Sequence, residues 1–233
     1  GSRNACFHGI GHGSITEHDE GVWNDPLVPL RQTVDLCHLA AKDANDLTRC
    51  MGGAYNGMSY GDYARRLDTS DPLKICREIS EEFIPLECYM NLASVVFNLS
   101  SKSVGEAVQF TETLGDERWL SRMVPVFATM YARQGHTTVE VIDTCGSLQE
   151  KLRDFCTEGY INGLVQKAAP NERSKEAYEF CSFHAFSGAE KRKCFERTHG
   201  VLEEFWSTPM ILRSCASLNG SDREMCIQAL SSE

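Results

Sequence analysis

Hydrophobic residues recur along this chain with the three-to-four-residue spacing of helices that bury one face. Segments with this spacing begin at several cysteines, in "CMGGAYNGMSYGDYARRL", "CYMNLASVVFN", "CTEGYINGLVQKA" and "CFERTHGVLEEF". Other helical segments lead up to a cysteine, in "LVPLRQTVDLC", "DPLKIC", "TTVEVIDTC" and "TPMILRSC". No stretch keeps the alternating polar and apolar pattern of a half-buried strand, so the sequence predicts an all-α fold.

The chain has 11 cysteines, and apart from Cys6 they fall into five close pairs. The pairs are Cys37 with Cys50, Cys76 with Cys88, Cys145 with Cys156, Cys181 with Cys194, and Cys215 with Cys226. Their first members recur every 34 to 39 residues, except for one step of 69 that corresponds to two ordinary steps. This period is typical of helical-hairpin repeats, so we predict an α-solenoid of about seven hairpins.

Each predicted hairpin places its first cysteine near the end of helix A and its second near the start of helix B. These two points face each other in an antiparallel hairpin, which predicts one disulfide in each of the five hairpins. Each bridge would contribute about 3 kcal/mol by the chain-entropy estimate. The alternative is a cytosolic helical protein with buried free thiols. In the long step, Phe110 and Met123 stand 13 residues apart and could replace the bridge with an apolar pair.

We expect one repeat domain over residues 1–233. Its approximate units are 3–25, 26–68, 69–101, 102–135, 136–169, 170–207 and 208–233. The first unit lacks its helix A, so the expected partner of Cys6 would lie about a dozen residues upstream, in a longer natural chain. The alternative is that Cys6 is a reactive or intermolecular thiol.

The chain resembles secreted, disulfide-rich Sel1-like repeat proteins, which are relatives of the tetratricopeptide repeats. The resemblance extends from Cys6 to Cys226 and consists of the repeat period, the helical hairpins and the single bridge per unit. The segment "AYNGMSYGDYARRL" is similar to the Sel1 sequence pattern. The resemblance implies a stacked superhelix that binds partners along one face.

Aligning the B helices on their cysteine gives two informative sets of positions. Three and seven residues after the cysteine, most residues are small: Gly9, Gly53, Asn91 and Gly159, then Gly13, Gly57, Val95 and Gly163. This spacing predicts a ridge along which a neighbouring helix approaches closely. Six residues after the cysteine, most residues are small and polar: His12, Asn56, Ser94 and Asn162. We predict that these four side chains form a polar ladder on the binding face.

The N-terminal histidines suggest a second kind of site. His8 and His12 lie four residues apart, so on a helix they could present two imidazoles to one divalent transition metal, with His18, Glu17 or Asp19 as further ligands. The alternative is that they are structural or interface residues of the repeat. The remaining histidines are interpreted as solvated or locally satisfied: His38, His136, His184 and His199.

The composition of the chain limits which partners and which cellular compartments are expected. A formal net charge of -10 argues against nucleic acid as a partner. The chain has no apolar run of about 18 residues, which argues against a transmembrane segment. Five disulfides would imply an extracellular, periplasmic or secretory-lumenal setting. The triplets at Asn98 and Asn219 fit the glycosylation pattern, but such triplets are common.

The chain carries none of the usual short catalytic signatures. His-Glu-x-x-His, Gly-x-Ser-x-Gly and the phosphate-binding loop are all missing from the sequence. We therefore expect a non-catalytic recognition module that binds a protein or peptide along one face of the solenoid and needs no cofactor. Metal binding through the N-terminal histidines is the alternative function, and an enzyme of unrecognised type comes third.

Overall fold

The computed structural model describes residues 3–16, 25, 27–78 and 84–230. Within these ranges the chain forms 14 α-helices and no β-strand, which confirms the all-α prediction. The chain divides into two compact units, residues 1–102 with 106–123, and residues 103–105 with 124–233. The organisation into seven repeats stays a prediction.

The helices of the first unit have five to 16 residues, and their bounds are α1 Arg3–Thr16, α2 Leu27–Ala40, α3 Ala44–Met58, α4 Gly61–Arg66, α5 Lys74–Glu78, α6 Ile84–Leu99 and α7 Val104–Thr113. A short 3-10 turn, Glu117–Trp119, leads into α8, Leu120–Ala132, which continues into the second unit. The second unit then contains α9 Thr138–Ser147, α10 Glu150–Lys167, α11 Lys175–Cys181, α12 Gly188–Leu202, α13 Thr208–Ala216 and α14 Gly220–Ala229.

Five disulfides join consecutive helices, and all five predicted pairs are confirmed. They connect α2 with α3, α5 with α6, α9 with α10, α11 with α12, and α13 with α14. The bridged Cα atoms lie 5.4 to 5.6 Å apart. The first cysteine of each pair lies in the last turn of its helix and the second in the second turn of the next helix. Cys6 is free and exposed on α1.

The second cysteine of each bridged pair lies near the start of its helix, as predicted, but the helix begins four to six residues before it. Polar caps set two of these starts. The Asp43 carboxylate accepts a hydrogen bond of 2.9 Å from the Asp46 N–H at the start of α3. Ser187 and Glu190 form a reciprocal capping box at the start of α12. Because the caps satisfy otherwise unpaired N–H groups, the helix extends back to them rather than to the bridge.

The segment from Cys50 to Leu67 forms two helices rather than one. The Ser59 N–H donates to the carbonyl oxygens of Tyr55 and Asn56, both at 3.1 Å, and ends α3. Tyr60 then has extended backbone angles before α4 begins. The Ser59 hydroxyl strengthens this stop by donating to the Asn56 carbonyl at 2.7 Å.

The segment predicted to form the hairpin without a bridge lies next to a buried polar cluster. Met123 is fully buried, whereas Phe110 is half-buried, so their role as a substitute for the bridge stays a prediction. Asp116 is 1% exposed and accepts a hydrogen bond of 2.6 Å from the Tyr89 hydroxyl. The Arg77 guanidinium forms an ion pair with the same carboxylate. These contacts tie α5 and α6 to the turn that precedes α8.

Close backbone contact between α1 and α3 depends on three glycines. A Cβ atom at Gly53 would overlap the His8 carbonyl oxygen, and one at Gly57 would overlap the Ile15 side chain. A Cβ atom at Gly11 would overlap the Cys50 carbonyl oxygen. The glycine ridge predicted on α3 is therefore confirmed.

The ridge predicted on α1 was wrong. A Cβ atom at Gly9 or Gly13 would have no neighbouring atom within 4 Å. The helix instead turns Gly11 and Ile15 toward α3, and both are buried. Ile15 is fully buried, so this apolar side chain, rather than the glycine spacing, explains which face of α1 is covered.

The same kind of crossing recurs in the second unit between α8 and α10. A Cβ atom at Gly159 would overlap the Pro125 carbonyl oxygen, and one at Gly163 would lie 2.6 Å from the Thr129 carbonyl oxygen. The Thr129 hydroxyl also donates a hydrogen bond of 2.8 Å to the Gly159 carbonyl. Pro125 is the sixth residue of α8, so this crossing lies inside that helix.

Alanine at Gly53 should destabilise the protein, because its Cβ would collide with the backbone of α1 rather than with a movable side chain. We expect Gly53→Ala to lower the free energy of unfolding by roughly 1–3 kcal/mol. Gly9→Ala is the matched control and should be neutral or stabilising by up to about 1 kcal/mol, since it adds helix propensity in open space. Urea denaturation measures both, and equal losses in the two variants would contradict this packing.

Candidate functional site

The N-terminal histidines lie on α1 where it crosses α3. His8 is exposed, and His12 is half-buried with its ring Cδ2 3.7 Å from the position of a Cβ on Gly57. Partial burial lowers the pKa of His8, and the nearby charges of His12 and Arg49 lower it further. A neutral His8 imidazole would retain the lone pair that a metal ligand needs.

The structure brings no third ligand to these two histidines within the described ranges. The one group of three close histidine, cysteine or acidic ligand atoms found there consists of other residues. His18, Glu17 and Asp19 lie outside the described residues. Metal binding at His8, His12 and His18 therefore stays a prediction.

The four residues of the predicted binding face are all half-buried. His12, Asn56 and Ser94 belong to the first unit, and Asn162 belongs to the second. Two of them have polar contacts within their own helices. The Ser94 hydroxyl donates to the Asn91 carbonyl at 3.1 Å, and Asn162 accepts from Gln166 at 2.8 Å. The polar ladder between helices stays a prediction.

A pocket of about 300 Å³ lies in the second unit, between two consecutive bridged hairpins. Helices α9, α10, α11 and α12 all contribute to it, together with Phe186 from the loop before α12. Cys145 and Cys194, one from each of two neighbouring disulfides, also line it. The bridges therefore fix the helix ends that form its walls.

Apolar side chains line one part of the pocket and charged side chains line another. Val141 and Phe180 are buried, and Ile142 and Phe186 are half-buried. Phe186 packs edge-on against Phe180 with ring centroids 5.4 Å apart. The charged lining consists of Arg153, Asp154, Glu190, Lys193 and Arg197. An apolar group could be buried here while a polar group stays near the charges.

The charges of the lining are partly paired with one another. Asp154 forms ion pairs with Lys193 and with Arg197, the second at 3.4 Å. The hydrogen bond from Lys193, with the charge of Arg197, holds the pKa of Asp154 below its usual range. Three cationic and two anionic side chains leave one excess positive charge in a chain of net charge -10. The pocket is thus a locally cationic place on an acidic protein.

Sequence reasoning missed this pocket. The predicted face used the position six residues after the second cysteine of each pair. The charged lining instead comes from positions close to that cysteine, with Arg153 and Asp154 before Cys156, and Lys193 and Arg197 on either side of Cys194. The available signal was the cluster of charges around consecutive cysteines, in "KLRDFC" and "EKRKCFER".

His199 on α12 is buried, so of its two predicted environments, solvated or locally satisfied, the first was wrong. The residue is 3% exposed, and burial lowers its pKa to about 4. Its Nδ1 atom has no hydrogen-bond partner. His199 lies five residues after Cys194, and the residues at the same position in three other hairpins are buried: Tyr55, Ala93 and Ile161. The apolar residues at this position of the other hairpins were the sequence signal that His199 would be buried.

Comparison with protein-family models, with curated proteins and with solved structures found no match for this chain. The resemblance to Sel1-like repeat proteins therefore stays a hypothesis. No helix in the described part of the chain is long and apolar enough to cross a membrane. The five disulfides are consistent with an extracellular or lumenal location.

Buried His199 should make the oxidised protein less stable in acid. The unfolded chain protonates this imidazole near pH 6.5, whereas the folded protein does so only near pH 4. Between these values the unfolded state binds more protons, so the contribution of His199 to stability is complete above pH 6.5, falls as the pH drops, and falls no further below pH 4. Denaturation midpoints measured from pH 7 to pH 4 should show this loss.

His199→Leu should lose less stability over that range than the wild type, because leucine cannot be protonated. The matched control is His184→Leu, since His184 is exposed in the same unit. It should retain the wild-type pH dependence. Identical pH dependence of stability in all three proteins would contradict the assignment of this loss of stability to His199.

Proposed function

We propose that this protein is a recognition module of an extracellular, periplasmic or lumenal compartment that binds a protein or peptide segment. The pocket between the bridged hairpins α9–α10 and α11–α12 is the observation that carries the proposal. The part of that segment bound in the pocket is an apolar side chain with a carboxylate beside it.

The size and the apolar lining of the pocket favour an apolar side chain as one part of the ligand. A volume of about 300 Å³ is at the lower end for ligand pockets, which suits one or two side chains better than a large cofactor. Phe180 and Phe186 offer aromatic surface, and Val141 and Ile142 add aliphatic surface. Burial of an apolar side chain against this surface would contribute favourably to binding.

The positively charged side chains of the lining favour a carboxylate as the other part of the ligand. The Arg197 side chain lines the pocket and is 19% exposed. Its partner Asp154 is 58% exposed, so the ion pair between them is only weakly stabilising and a ligand carboxylate can compete for it. An arginine can also bind a carboxylate through two parallel hydrogen bonds.

Helix packing supports an extended surface around the pocket. In the second unit α8 contacts α10, and α10 contacts α12, which contacts α14. We propose that this succession reflects an α-solenoid of about seven hairpin repeats. Such an array presents consecutive helices along one face, where a peptide could extend beyond the pocket.

Fluorescent peptides test the proposal. The panel carries leucine or phenylalanine next to glutamate, glutamine or lysine in an otherwise constant sequence. We expect the glutamate peptides to bind about tenfold more tightly than the lysine peptides, as measured by fluorescence polarisation at low salt. Arg197→Gln should weaken this preference, because it removes one of the three cations that line the pocket.

Arg192→Gln is the matched control, since Arg192 lies on the same helix but outside the pocket lining. It should keep the preference for glutamate. The proposal is overturned if no peptide of the panel binds, or if the two arginine variants change binding equally.

A further inference from the structure

A buried imidazole lies against the last disulfide of the chain. His199 Nε2 on α12 is 3.6 Å from Cys215 Sγ on α13 and 3.5 Å from Cys226 Sγ on α14. All three residues are buried, with at most 3% of their surface exposed. Among the described residues, no other three potential ligand atoms of histidine, cysteine and acidic side chains come as close together.

The spacing of these atoms fits a tetrahedral metal site. Zinc bonds of about 2.0 Å to nitrogen and about 2.3 Å to sulfur place the nitrogen about 3.6 Å from each sulfur. The observed nitrogen–sulfur distances already have this value. Only the two sulfur atoms, bonded to each other in the disulfide, would have to move apart, to about 3.8 Å.

We propose that Cys215, Cys226 and His199 form a binding site for Zn²⁺, or a similar borderline-soft divalent cation, when the Cys215–Cys226 bridge is reduced. The disulfide and the metal exclude each other, because a bridged sulfur cannot act as a thiolate ligand. This site is independent of peptide binding at the pocket.

The chemistry balances with a dithiol as the reductant. The dithiol gives two electrons and two protons to the Cys215–Cys226 bond and becomes a disulfide itself, leaving two thiols on the protein. Zn²⁺ then displaces the two thiol protons and forms two bonds to sulfur and one to nitrogen, with a fourth position left open. Two thiolates neutralise the charge of the cation, so the buried setting does not hold an uncompensated charge.

Burial also prepares the histidine for this role. Its surroundings favour the neutral imidazole, which is the form that binds metals. The ring is held between elements of the second unit, with the Tyr178 ring centroid 6.0 Å away in an edge-on contact. The Nδ1 atom, which faces no partner, would carry the remaining proton when Nε2 binds the metal.

Alkylation of individual cysteines tests the site. The full chain is reduced with a phosphine, which avoids competition for zinc by a dithiol, and is then exposed to a thiol reagent with and without one equivalent of Zn²⁺. Peptide mass spectrometry gives the alkylation rate at each cysteine. We expect zinc to slow alkylation of Cys215 and Cys226 about tenfold and to leave the other bridging cysteines nearly unchanged.

His199→Gln should lose this zinc protection, and His184→Gln should keep it. The comparison of alkylation rates among the cysteines of the wild-type protein needs neither variant. A folding defect in one variant would therefore not decide the result. Equal zinc protection of all the cysteine pairs would overturn the proposal, including the case in which the reduced chain unfolds. Unchanged protection in a folded His199→Gln variant would also overturn it.

Discussion

A disulfide that links the last turn of one helix to the second turn of the next is the constraint on which this structure depends. Each of the five bridges closes a short loop, and its two cysteine Cα atoms lie 5.4 to 5.6 Å apart. Each bridge contributes about 3 kcal/mol to stability because it restricts the unfolded chain. Several bridged helices are short, such as α5 with five residues and α11 with seven. Helices of that length are not stable alone, so packing and bridges must hold them.

Glycines add close contacts to the helix pairs that the bridges fix. They let α3 lie directly on α1 at Gly53, and α10 lie directly on α8 at Gly159. Cys145 and Cys194, which belong to two consecutive bridges, line the pocket of the second unit. Two of the bridges that hold helix pairs together therefore also shape the pocket.

Regular sequence spacing predicted the features that repeat, and missed those that depend on which helix face is covered. The five cysteine pairs and the glycines of α3 and α10 followed from spacing alone. The face of α1 did not, because Ile15 and Gly11 are chosen by burial against α3 rather than by the alignment. The pocket was missed since its lining comes from four helices and a loop, which no single sequence window contains. His199 was missed because a histidine was judged by its polarity rather than by its buried position in the alignment.

Peptide mapping of the unreduced protein tests most directly whether each hairpin is closed by its own bridge. The protein is alkylated without reduction, cleaved between the hairpins, and the linked peptides are identified by mass spectrometry. The structure predicts five links, each between neighbouring cysteines separated by 11 to 13 residues, and an alkylated Cys6. A link between cysteines of different hairpins, or free thiols at the paired positions, would contradict the account.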